Sequence, residues 1–167
     1  MIWRLAHRFD PAAVAVADRH YSRQKPGTSQ CMPPGRALVL HSIVNGQEAV
    51  WGTSWQAEGC ADHDWPGAWV CSLFRNETTV RASAMIRDAV AATRFYYGDA
   101  PAQGMITFVN AKAVRDKQDP GHAFIIAGFR VVGKTRRRAL IALRLDPARM
   151  PDAAPALGMQ SGLELVA

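Results

Sequence analysis

The segment FRNETTVRAS, residues 74–83, places basic, hydroxyl and amide side chains between an apolar run and a helical pattern. The first N–H groups of a helix lack partners inside the helix and carry partial positive charge, so a turn at this place can bind a phosphate group. The side chains that could assist are Arg75, Thr78, Thr79, Arg81 and Ser83. The segment taken alone favours a simpler interpretation, in which Thr79 caps the helix and the arginines are solvated.

Hydrophobic patterning around this segment predicts the elements that position it. Strands are expected at 2–5, 36–44, 48–55, 68–74 and 104–110, with a strand pair from 130 to 145. Helices are expected from Asp10-Pro11, at 80–97 and at 122–129, and Asn45-Gly46 predicts a hairpin turn. This order predicts an α/β fold with a mixed sheet, in a single domain over residues 1–150. A loose tail, residues 151–167, would follow it.

The balance of charge favours polyanionic partners, because 20 Lys and Arg residues stand against 14 Asp and Glu, for a net charge of +6. One basic cluster surrounds the long loop that follows the first helix and contains Arg19, Arg23, Lys25 and Arg36. A second lies near the last strands and contains Arg130, Lys134, Arg136, Arg137, Arg138 and Arg144. Both clusters are candidates for holding phosphates, although the run 136–138 by itself is more typical of a solvated face.

The cysteine pattern and the apolar runs exclude several classes of protein. Three cysteines without a CxxC pair argue against a disulfide framework or a four-cysteine zinc site, and favour a reducing cytoplasm. Cys60, Asp62, His63 and Asp64 are of metal-ligand types, but they have no distant partner, so no metal site is predicted. No apolar run approaches the length of a membrane span or a signal peptide, so no membrane partner is expected.

Three segments resemble the GNAT superfamily of N-acetyltransferases. They are the strand WVCSLF with the turn RNETTVRAS, the strand ITFVN, and FIIAGFRVVGKT. Within the superfamily, RHYS at 19–22, FRNETTVRAS and AGF at 127–129 are similar to phage Mom-type DNA-modification proteins and related phage acyltransferases. The resemblance implies a GNAT-like, mostly antiparallel sheet flanked by helices and a cytoplasmic enzyme, in the host if phage-encoded. It also implies acetyl-CoA or another acyl-CoA as cofactor, and an acceptor amine on a modified base in double-stranded DNA.

The resemblance also implies roles for individual residues. The cofactor would contact Phe74, Arg75, Thr78, Thr79, Val80, Arg81, Ala82, Ser83 and Asn110, with Thr78 and Val80 standing where the family has small residues. Phe124 occupies the position of a tyrosine that serves the leaving thiolate in many members, so that role would pass to His20, Tyr21 or His122. Apart from the resemblance, the first basic cluster and one nearby aromatic ring are expected to contact the acceptor, through Arg23, Lys25, Arg36 and Trp55.

Several of these residues could instead have a purely structural role. Glu77 is either a base for the incoming amine or an acid that interacts with the helix dipole, and His20 is either catalytic or a dipole-stabilised histidine at a helix end. For the whole chain, the rivals are a GNAT enzyme that acylates a small amine or a protein, and a non-catalytic DNA-binding protein with the same fold.

Overall fold

The structure is a computed structural model that describes residues 1–23, 25–56, 63–113 and 119–160. The strands are β1 (Arg4–Ala6), β2 (Ala37–Val44), β3 (Gln47–Trp55), β4 (Trp69–Asn76), β5 (Met105–Val109), β6 (Arg130–Lys134) and β7 (Ile141–Leu145). The α-helices are α1 (Pro11–Asp18), α2 (Ala82–Tyr97) and α3 (His122–Ile126), and a short 3-10 helix spans Pro147–Arg149. The described chain is therefore α/β, as the sequence predicted.

All seven strands form one sheet in the order β1-β2-β3-β4-β5-β7-β6, and only β4 and β5 pair in parallel. The predicted turn between β2 and β3 is confirmed, because Asn45 and Gly46 both adopt the positive φ that a tight hairpin requires. The parallel pair needs a crossover connection, which α2 provides. The sheet is thus mostly antiparallel with one parallel joint.

Helices cover both faces of the sheet. On one face, α1 packs Ala13, Val16 and Ala17 against β2, β3 and β4. Its start is fixed as predicted, since the Asp10 carboxylate accepts a hydrogen bond from Ala12 N–H and Pro11 is the first helical residue. On the other face, the buried stripe of α2 and the aromatic rings of three fully buried tryptophans, Trp3, Trp51 and Trp69, form the main core.

A bulge interrupts β4 at Ser72. Gly52 faces Leu73 and Thr53 faces Cys71, so Ser72 has no opposite residue on β3. One extra residue reverses the alternation of side chains, and Cys71 and Phe74 therefore lie in the α2 core whereas Leu73 lies in the α1 core. The bulge bends β4 at the point where it leaves β5.

The second half of the strand pair at the chain's end differs from the prediction. The predicted strand pair, 130–145, has its second strand begin with the arginines 136–138, but these residues form the turn between β6 and β7, and β7 begins at Ile141. Charged arginines have no apolar face to bury, so the strand begins where the apolar alternation begins.

Residues 151–160 also differ from the expected loose tail. The backbone of Leu157 exchanges hydrogen bonds with Trp3 and Leu5, Ala154 N–H donates to the Ala91 carbonyl, and Ala156 is buried. This segment therefore adds to the edge of the sheet beside β1. Residues 161–167 of the predicted tail lie outside the described part of the chain.

Candidate functional site

β4 and β5 separate to form a wedge-shaped opening. They pair only at Trp69 with Met105, Val70 with Ile106 and Cys71 with Thr107. Beyond that point β4 stays paired to β3 and β5 stays paired to β7, so residues 73–76 and 108–109 diverge. At the apex, the Thr107 hydroxyl donates to the Cys71 carbonyl over 2.9 Å. The inner backbone edges of the wedge are therefore left without strand partners.

His20 and Tyr21, which follow α1, lie at the mouth of this wedge. Their rings pack with centroids 4.4 Å apart. The Tyr21 hydroxyl accepts a long hydrogen bond, 3.4 Å, from the Asn110 N–H at the end of β5. The structure thus brings together three residues that the sequence predicted for one site, although they are far apart in the chain.

His20 is held in its neutral form. Its Nδ1 accepts from the Ser22 backbone N–H at 3.2 Å and lies 2.7 Å from the Ser22 hydroxyl. Burial, together with the positive charge of Arg75, lowers the pKa of His20 to about 4. A histidine that stabilises a helix end through the dipole must be charged, so this environment argues against that alternative.

Glu77 lies in an ion cluster with two arginines. Arg19 donates to its carboxylate at 2.9 and 2.6 Å, and Arg75 donates to it at 2.6 Å. Arg75 also donates to the Arg19 carbonyl at 2.5 Å, which ties β4 to the end of α1. Hydrogen bonding from Arg19, followed by that from Arg75, lowers the pKa of Glu77 to about 2. A carboxylate so stabilised is a poor proton acceptor, which weighs against the predicted base role.

The predicted phosphate turn is braced from within. The Asn76 carboxamide accepts from the backbone and hydroxyl of Thr78 at 2.9 and 2.7 Å, and donates to the Val80 carbonyl at 2.8 Å. The Thr78 hydroxyl in turn accepts from Val80 N–H at 3.1 Å. Asn76 therefore fixes the turn's shape, a role that the Asn-x-Thr spacing could have indicated.

The helix start itself lacks a side-chain cap. Arg81, not Thr79, occupies the N-cap position, and no side chain bonds to the first turn, so the Thr79-cap alternative is wrong. Among the described residues, the N–H groups of Ala82 and Ser83 have no hydrogen-bond partner. Arg81 and Thr79 are exposed beside them, while Ser83 is buried.

Two predicted residues of α3 lie in different environments. Phe124 is buried and packs against Phe74 and Phe129, with ring centroids 5.9 and 5.2 Å away, so the position carries an apolar ring at the core. His122 is on the surface, with its side chain 61% exposed and its Nδ1 3.3 Å from Asp119.

The four predicted acceptor residues divide into two groups. Arg23 is half-buried and is engaged by Asp18 at 2.6 Å and by the Thr28 hydroxyl at 2.6 Å, so it closes the loop after α1. Lys25 is exposed on the same loop.

Arg36 and Trp55 lie at the other end of the sheet. The Arg36 guanidinium stacks 4.0 Å above the Trp55 ring. Trp55 pairs with Trp69 at the start of β4, and Asn76 ends that strand, so roughly 20 Å separates them from the wedge mouth. They border a separate cavity of about 340 Å³ with Gln56, Pro66, Pro101 and Gln103. A small acceptor at the wedge would not reach this pair.

Two side chains that the sequence did not single out help to position the site. Met32, in the long loop, packs its sulfur against the bulge, 3.4 Å from the Ser72 hydroxyl, and a Cβ at Gly52 would lie only 2.5 Å from the same sulfur. Glu48 lies 3.2 Å from buried His41 and 3.8 Å from Arg19. No local pattern signals either contact, because each joins segments remote in the chain.

No protein-family model, curated protein or solved structure matches this chain. In the described part of the chain, no helix combines the length and the apolar character needed to cross a membrane. The same residues contain no group of three potential metal ligands, and Cys60 and Asp62 lie outside them.

Proposed function

We propose that this protein is an acyl-CoA-dependent N-acyltransferase with a GNAT-like fold, acting on an amine carried by a modified base in DNA. The observation that carries the proposal is the wedge between β4 and β5, two parallel strands that pair over three residues and then diverge after a bulge. The GNAT resemblance implies a splay at this joint of the sheet, which admits the pantetheine arm of the cofactor.

The wedge suits an extended ligand with amide groups. Backbone N–H and C=O groups on the inner edges of residues 73–76 and 108–109 lack strand partners. Pantetheine has amides that can pair with such groups, much as an added strand would. Buried Cys71 and Thr107 close the apex, so the wedge is shielded from bulk water on that side.

The start of α2 supports the diphosphate end of the same ligand. It presents the N–H groups of Ala82 and Ser83 together with the exposed guanidinium of Arg81. These are the donors that an anion at a helix N-terminus uses. Arg75, which is engaged by Glu77, would act indirectly by holding the turn in place.

The reaction needs a neutral amine, a polarised acyl carbonyl and a proton for the departing thiolate. The amine lone pair forms the new N–C bond, the C–S bond breaks with its electrons on sulfur, and the amine then loses one proton. Burial raises the pKa of Tyr21, so its phenol stays protonated at neutral pH and can donate to the thiolate. His20 beside it is neutral, but with a pKa lowered to about 4 it is a weak base, so the amine's proton passes to water.

DNA is the acceptor that the charge favours. The chain carries a net charge of +6, and exposed Lys25 stands on the loop that follows the wedge residues His20 and Tyr21. A polyanion would be attracted to such a surface over long range.

Two mass-spectrometric measurements test the proposal. Protein purified under native conditions should carry acyl-CoA, and DNA that contains an amine-bearing base should gain an acyl group when incubated with protein and acetyl-CoA. Acylation of a free amine but not of DNA would favour the small-amine enzyme. Binding of DNA with neither cofactor nor transfer would favour the non-catalytic protein and overturn the proposed activity.

A further inference from the structure

The turn between β6 and β7 stands at the same end of the sheet as the wedge. Ile141 pairs with Val109, and the next residue on β5 is Asn110, whose N–H contacts Tyr21. The strands of the hairpin end there, and its turn carries Arg136, Arg137 and Arg138. The chain from Ile141 to Arg138 spans three residues, which even fully extended would cover roughly 10 Å, so the arginines lie close to the wedge mouth.

The turn that carries the three arginines is ordered by its own hydrogen bonds. Thr135 N–H donates to the Leu140 carbonyl, and the Thr135 carbonyl accepts from Ala139 N–H, at 2.9 and 3.0 Å. The Thr135 hydroxyl accepts from Leu140 N–H at 3.1 Å. A turn closed in this way presents its side chains at a lower entropic cost than a loose loop would.

The charges on the turn are almost uncompensated within the described residues. All three arginines are exposed. Arg136 lies 4.0 Å from Asp64, but their side chains are 90% and 61% exposed, so this contact is weak. Arg137 and Arg138 form no ion pair with any residue in the described ranges. Like charges on consecutive residues repel each other, so a turn of this kind is best satisfied by an external polyanion.

We propose that this arginine turn, residues 136–138, is the docking element for duplex DNA, gripping phosphates a few base pairs from the base held at the wedge. The inference rests on the proposed function and names the surface that brings its acceptor to the site. Guanidinium groups pair with phosphate oxygens in a bidentate manner, and phosphate contacts set the position of a protein on a duplex without reading its sequence.

The arrangement fits a duplex better than a bilayer. No apolar side chain lies among residues 136–138, so the turn has nothing to insert into acyl chains. Exposed Lys25, on the loop after α1, supplies positive charge from a second segment. An extended polyanion that crosses the wedge mouth would meet both.

The test compares variants by DNA affinity across a salt series. The variant Arg136→Ala/Arg137→Ala/Arg138→Ala removes the charges, and the corresponding triple lysine variant keeps them. Arg149→Ala is the control, since Arg149 is exposed after β7, at the far end of the sheet. Acyl-CoA affinity and acylation of a free amine are measured alongside, and so is binding to vesicles that contain anionic lipid.

In the triple alanine variant, log affinity should fall less steeply with log salt, and the magnitude of the slope should decrease by about 2.7. Each phosphate that the protein no longer neutralises removes about 0.9 from that magnitude. Its affinity deficit relative to wild type should therefore shrink about 40-fold between 50 and 200 mM salt. The lysine variant should keep most of the wild-type slope. Arg149→Ala removes one charge instead of three, so it should keep at least two thirds of the wild-type slope. Acyl-CoA affinity and free-amine acylation should not change.

Three results would overturn the docking role: an unchanged slope in the triple alanine variant, an equal loss in Arg149→Ala, or loss of vesicle binding with DNA affinity intact. The proposed activity fails separately. Should no amine be acylated while the slope still falls as expected, the docking surface stands and the acyl-transfer proposal does not.

Discussion

Replacing Glu77 by glutamine tests whether this carboxylate is a structural clamp. Its pKa falls from an ordinary 4.5 to about 2, chiefly through hydrogen bonds from Arg19 and then Arg75. Such a fall corresponds to about 3 kcal/mol if it is fully realised. Because the side chain is 28% exposed, solvent screening reduces the expected contribution to about 1–2 kcal/mol. Glu77→Gln should therefore lower the free energy of unfolding by about 1–2 kcal/mol at pH 7.

The pH dependence of that difference is the sharper measurement. A lowered carboxyl pKa stabilises the folded state above the unfolded pKa, and this stability is lost as pH falls through the folded pKa. Urea unfolding of wild type and variant should therefore converge between about pH 4.5 and pH 2. Asp99→Asn, at an exposed position beyond α2, is a control that should change little. Equal stability at pH 7, or a difference that persists at pH 2, would refute the clamp.

Three further outcomes are expected. Because the pKa of His20 is lowered to about 4, wild type should lose stability relative to His20→Gln as pH falls from about 6.5 to 4, and parallel unfolding curves would contradict its burial as a neutral imidazole. Tyr21→Phe should reduce turnover, measured by a stopped assay, by about 100-fold and leave acyl-CoA affinity, measured by calorimetry, intact. Unchanged turnover would show that another group protonates the thiolate. Asn76→Ala should cost about 1–3 kcal/mol of stability by removing the bonds that shape the turn, whereas Thr79→Ala, at an exposed position without a cap bond, should cost almost nothing.

The sequence predicted the elements well wherever local chemistry decides them. Asp10-Pro11 begins α1 and Asn45-Gly46 turns the hairpin, because capping and positive φ depend only on neighbouring residues. The arginines at 136–138 were misassigned to a strand, since the apolar run that follows them obscured where the alternation begins. The tail was expected to be loose because its composition says nothing of the unpaired edge of β1 that Leu157 joins.

The sequence by itself determined the chemical groups available at the candidate site: hydroxyl and basic side chains at a helix start in 74–83, the His20-Tyr21 pair, and an excess of positive charge. Tertiary structure decided which of these groups are free to act. It paired Glu77 with Arg19 and Arg75, and it set Arg36 at the far end of the sheet. The bulge at Ser72, which opens the wedge, is visible only in the register between strands. Local sequence sets a residue's type and element, whereas pKa, free donors and shared sites depend on segments that meet only when the chain folds.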